Sequence, residues 1–149
     1  MKAEDFMTKE VFSCKQSQTV EEAAALMSEK GVSVMPVIDD EGLLVGILTE
    51  SDFVSKEVKI PHAMASMKRL LGVTHYEGDI EAIYASAKKR KLAEVMTKNP
   101  KAISPTTSLN SIVTIMEDKK LKRLPVVDNQ KLVGMITRKD LLRAFNLAK

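Results

Sequence analysis

Two short stretches of this 149-residue chain carry residue types suited to holding a ligand, Thr137-Arg138-Lys139-Asp140 and Thr49-Glu50-Ser51-Asp52. In each, a threonine stands three residues before an aspartate and directly follows a Gly-apolar-apolar triplet. That spacing opens a helix, because the free N–H groups of a first turn take an oxygen from the side chain just before them. Those N–H groups, with the positive end of the helix dipole, also favour a phosphate. A carboxylate at the fourth position can accept both hydroxyls of a sugar diol, as an acidic residue does in dinucleotide-binding folds. Thr-x-x-Asp alone is a plain capping box. The preceding glycine triplet and an earlier strand containing Pro36 or Pro125 go beyond what capping requires.

Charge separates the two stretches. Arg138 and Lys139 lie inside the second, and Lys122-Arg123 precede Leu124-Pro125. Around the first stand Asp39, Asp40, Glu41, Glu50 and Asp52, with no Lys or Arg between Gly31 and Ser55. The asymmetry extends along the chain: residues 1–55 hold 4 Lys against 11 acids, and residues 95–149 hold 11 Lys and Arg against 4 acids. A phosphate is therefore expected at the second stretch, and the first is expected to be empty or to take an uncharged group.

Other chemistry is poorly supported. No nucleophile elbow, P-loop or dinucleotide glycine motif is present, so an enzyme is not expected. His62 and His75 lack a cysteine partner and read as surface residues, with no metal site expected. The lone Cys14 aligns with Ile103 and reads as apolar filler, compatible with a reducing cytoplasm. The Lys88-Lys89-Arg90-Lys91 run is basic, yet aromatic residues make up 4% of the chain, which disfavours a nucleic-acid partner. Apolar runs stay far below the ~20 residues of a membrane span, and the acid-bearing N-terminus is no signal peptide. Hydrophobic content of 44% and charged content of 29% are ordinary for a folded globular domain, and the β-α-β-β-α repeat pattern makes the expected class α+β.

The elements that must position these residues come in two copies. Residues 6–39 align without gaps on 95–128, and 44–54 align on 132–142, with 13 identities in 45 pairs. Met7/Met96, Thr8/Thr97, Pro36/Pro125, Gly46/Gly134, Thr49/Thr137 and Asp52/Asp140 are among them. Each copy reads as β-α-β-β-α, with Thr19 and Glu22 capping the first helix and Gly31 ending it. Pro36 and Pro125 inside strand patterns predict a sheet edge or a bulge. The chain divides into a first repeat over 1–55, a helical insert over 56–92 and a second repeat over 93–149. Within the insert, helices are predicted over 62–71 and 79–92, covering the repeats or forming a dimer contact.

On the Met-Thr openings, the Pro-Val-Ile-Asp and Pro-Val-Val-Asp strands and the closing Gly-x-x-Thr-x-x-Asp segments, each copy resembles a CBS (cystathionine beta-synthase) domain, a motif found as tandem pairs. The resemblance covers nearly the whole chain outside the insert. It implies two repeats packed about a pseudo-twofold axis with two clefts between them, usually joined into a flat homodimer. It also implies an adenosine ligand (AMP, ADP or ATP, with S-adenosylmethionine or NAD as variants) and no required cofactor. Carried onto this sequence, Asp140 meets the ribose, Thr137 and Arg138 meet the phosphate, and Ala102, Ile103, Lys122, Arg123, Leu124 and Pro125 surround the adenine. In the first repeat the matching set is Thr49, Asp52, Ser13, Val34, Met35 and Pro36. Glu50 and Ser51 depart from the family, where Arg or Lys is frequent. The function implied is a regulatory nucleotide sensor that acts on a further protein or on its own dimer mate. The alternatives are a structural dimerisation module with empty clefts and, third, a nucleic-acid binder.

Overall fold

The computed structural model describes residues 1–53 and 80–149. The helix expected over 62–71 lies outside the described residues, as do His62 and His75. In chain order the elements are α1 (Ala3–Phe6), β1 (Cys14–Lys15), α2 (Val20–Lys30), β2 (Val34–Ile38), β3 (Leu44–Thr49) and a 3-10 turn (Glu50–Phe53). They continue with α3 (Ile80–Ala87), α4 (Leu92–Val95), β4 (Thr97–Lys98), α5 (Leu109–Asp118), β5 (Arg123–Asp128), β6 (Lys131–Thr137) and α6 (Arg138–Leu147). The architecture is α+β.

Two compact units form, and each is assembled from both repeats. One combines Ser13–Glu41 with Val45–Asn99; the other combines Met1–Phe12, Gly42–Leu44 and Pro100–Lys149. The opening segment of each repeat is thus exchanged. Ala3 and Phe6 are buried with Ile112, Leu124 and Ile136 of the second repeat. Their sequence counterparts Leu92 and Val95 are buried with Ala23, Met35 and Leu48 of the first. The exchange preserves volume: a small and a large side chain in one core answer two of middle size in the other.

In the first-repeat unit the sheet runs β1-β2-β3-β4. Strand β1 is parallel to β2 through Cys14↔Val37, and β4 is antiparallel to β3 through Ile47↔Thr97. In the second-repeat unit β5 and β6 pair antiparallel, Ile103 bridges Val126 and Thr8 bridges Met135. The prolines are placed by this pattern. Pro125 faces Met135, which spends its N–H and C=O on Thr8, so β6 asks no donor of the proline. The ladder slips between Val126 and Val127, one residue beyond it. Pro36, in contrast to the edge expectation, lies on a strand with neighbours on both sides. The two-residue β1 reaches only Val37 and Ile38.

Helix α2 ends as its sequence directs, with Gly31 left-handed at φ 63°. The helix expected over 79–92 stops at Ala87. The basic run turns instead, and the Lys88 and Arg90 carbonyls accept the Glu21 and Val20 N–H groups at the start of α2. Satisfying another helix's free donors outweighs the helix propensity of four basic residues.

Cys14 is buried in the first-repeat core. Burial, and secondarily the Glu22 charge, push its thiol up from the ordinary range. The thiolate is the reactive form, so a disulfide reagent at neutral pH should label native Cys14 at least about a hundredfold more slowly than the denatured chain. Equal rates would show that the site opens freely.

Candidate site at the two Thr-x-x-Asp turns

In the second-repeat unit β6 delivers Thr137 to the N-cap of α6, where its backbone is extended at φ −119°, ψ 170°. Asp140 folds back beneath it and is 2% exposed. Its Oδ2 accepts the Thr137 N–H at 2.9 Å and the Thr137 hydroxyl at 3.1 Å. Its Oδ1 accepts the Thr8 hydroxyl at 2.9 Å and lies 3.4 Å from Nη1 of Arg143. A carboxylate offers about four acceptor positions, so these partners fill it. Any diol at Asp140 must displace one of them.

Arg143 does more than pair with Asp140. Its Nη1 donates to the Phe6 carbonyl at 2.9 Å, which ties the C-terminal end of α1 to α6. Neither Thr8 nor Arg143 stood out in the sequence as a site residue. Thr8 carried one signal, its identity with Thr97; Arg143 carried none. Around this turn Lys122, Arg138 and Lys139 are exposed and Arg123 is half-buried, whereas Leu124, Pro125 and Ile103 are buried and Ala102 is half-buried. The four cations come from three places: the approach to β5, its first residue and the first turn of α6.

The first-repeat turn repeats the geometry in miniature. The Thr49 N–H donates to Oδ2 of Asp52 at 2.8 Å, and the Thr49 hydroxyl lies at 3.3 Å from the same atom. The Thr49 and Ser51 hydroxyls also meet, at 2.7 Å. The turn is 3-10 rather than α, and the Glu50 N–H is held by the Ser33 carbonyl at 2.9 Å. Val34, Met35 and Pro36 are buried on β2, and Ser13 is half-buried before β1. A depression of about 440 Å³ adjoins Ser33 and Glu50, walled by Gly31, Val32 and Phe53. Among the described residues no cluster of three His, Cys, Asp or Glu is placed to hold a metal. No helix among them is long and apolar enough to cross a membrane.

Both repeats share one motif, a strand-borne threonine over a buried aspartate, and in the second repeat Thr8 of the exchanged opening closes it. This arrangement defines a tandem-repeat module with one Thr-x-x-Asp turn in each repeat. The CBS domain family matches residues 3–59 and 92–147, and the chain belongs to that family. It is 28% identical over 146 residues to the chloroplastic CBS domain-containing protein CBSX2 of Arabidopsis thaliana, a match covering 94% of this chain and 61% of that protein. The chain thus spans less than two thirds of that relative. The crystal structure of CBSX2 in complex with AMP superposes at a TM-score of 0.72 and 28% identity, covering 97% of this chain and 96% of that one. An uncharacterized Methanocaldococcus jannaschii protein, MJ1426, is 31% identical over 133 residues, 80% of this chain and 77% of its own.

Proposed function

We propose that the chain is a regulatory module that binds an adenine nucleotide (AMP, ADP or ATP) at the second-repeat turn and passes its occupancy to a dimer mate or a further protein. The observation that carries this reading is the four-cation surround of Thr137 and Asp140, in a chain that superposes on an AMP-binding CBS pair. Thr137, Arg138 and the α6 N-terminus receive the phosphate, and Asp140 exchanges Thr8 for the ribose. Lys122, Arg123, Leu124, Pro125, Ala102 and Ile103 form the adenine side. S-adenosylmethionine and NAD are the variant ligands, and no resident cofactor is needed. Calorimetric titration with AMP, ADP, ATP, NAD and S-adenosylmethionine tests the reading. Saturable binding of at least one phosphate-bearing ligand supports it, and heat-silent mixing with all five refutes it.

A second reading is favoured by one observation, the full set of protein partners around Asp140. It is a dimerisation module whose second turn serves structure alone. Either way a homodimer is proposed, because Leu142 and Phe145 on α6 are 66% and 78% exposed, a pairing a monomer has no reason to keep wet. Phe145→Glu should shift the sedimentation coefficient from that of a dimer towards a monomer while leaving the circular dichroism spectrum unchanged. An unchanged sedimentation coefficient would place any dimer contact elsewhere.

A further inference from the structure

A groove of about 340 Å³ opens on the first-repeat unit between α2, the 3-10 turn and α3. Ala24, Ala25, Phe53 and Tyr84 line it, and the Tyr84 hydroxyl donates to the Phe53 carbonyl, which ties α3 to the turn. Through Ala24, Ser28 and Phe53 the groove runs on into the depression beside Ser33 and Glu50. At the positions of Ala24, Ala25 and Ser28 the second repeat carries the larger Val113, Thr114 and Glu117. The small residues that make room thus belong to the first repeat alone. Glu21 and Lys88 border one part of the groove and Glu50 the other.

The unit that carries α6 presents the opposite relief and the opposite charge. Its exposed Leu142 and Phe145 share one helix face with Arg138, at i+4 and i+7 from it. The cations of that helix are Arg138, Lys139 and Arg143, and its single acid, Asp140, is buried. Helices α2 and α3 carry Glu21, Glu22, Glu29 and Glu81 against Lys30. The same balance extends to the whole units: the α6 unit holds 12 Lys and Arg against 7 acids, and the groove unit holds 11 against 13. Two copies of α6 set on each other would oppose like charges. Set on the groove, α6 brings unlike charges together around an apolar centre, and an aromatic side chain seated in such a pocket is a typical anchor of an interface.

We propose that this groove receives Phe145 and Leu142 of a second copy of the chain, so that two protomers join head to tail. In a two-fold pair the contact is made twice, α6 of each protomer seating on the α2–α3 groove of its mate. The assignment rests on the homodimer reading above and adds the surface that covers Leu142 and Phe145. The test is sedimentation velocity of the full chain over a concentration series, with wild type, Ala25→Arg, Phe145→Glu and an equimolar mixture of the two variants. Ala25 and Phe145 are both exposed, and arginine and glutamate are good helix formers, so the fold of each variant is kept. Each variant alone spoils both contacts and should dissociate at least about tenfold more readily than wild type. In the mixed pair one contact is wild type throughout, and at the other the introduced arginine meets the introduced glutamate. The mixture should therefore associate at least about tenfold more tightly than either variant alone. Wild-type association by Ala25→Arg, whatever Phe145→Glu does, overturns the groove and leaves the homodimer reading intact. A mixture no tighter than its components does the same. Wild type that sediments as a monomer at every concentration overturns both.

Discussion

Gly46→Ala should lower stability by about 1–3 kcal/mol, or about 3–10 °C in melting temperature for a chain of this size. A Cβ at Gly46 would lie 2.6 Å from Cγ of Met96 and 3.1 Å from its Cβ, so the whole side chain must move within a packed core. The second repeat presents the same contact, with a Cβ at Gly134 meeting Sδ of Met7 at 2.6 Å and the Thr8 carbonyl at 3.2 Å. There the obstacle includes backbone already paired with Met135. Truncating the methionine should rescue the first case: Gly46→Ala/Met96→Ala should be more stable than the two single losses summed. Simple additivity in a thermal denaturation cycle would show that Met96 does not rest on Gly46.

Asp140→Ala carries the other large expected effect. Losing the cap and stranding the partners of a carboxylate that is 2% exposed should cost about 2–4 kcal/mol. Nucleotide affinity should fall about 10- to 100-fold, the worth of a charge-assisted hydrogen bond. Stability and binding are separated by Thr8→Val, which removes a competitor for Oδ1 but keeps the cap. That variant should bind AMP as tightly as wild type or more tightly, in a titration run well below its melting temperature. If Thr8→Val loses affinity as Asp140→Ala does, Asp140 acts by holding the fold and not by accepting the ligand.

The repeats, the α+β class and the caps were legible because each is written locally. Thr19 accepts the Glu22 N–H, and Thr137 with Asp140 opens α6 as their spacing requires. The exchange of openings was not legible. Ala3 and Phe6 are apolar at the same positions as Leu92 and Val95, so either pair satisfies either core by pattern alone. The closure of Asp140 by Thr8 was equally hidden, since the two are 132 residues apart and a lone threonine announces no partner. The basic run failed for a related reason: its local preference is helical, and the carbonyls that end α3 answer donors on α2.

The exchanged openings impose an order of events during synthesis. Residues 1–12 leave the ribosome well before the strand and helix they complete, β6 and α6, which are encoded more than a hundred residues later. At bacterial or eukaryotic elongation speeds that is a wait of roughly 6–25 s. Through that interval Phe6 and Met7 have no native partner. The first-repeat unit, closed by residues 92–99, can finish while the leading segment is still idle. Birth order and folding order therefore run opposite at the two ends of this chain.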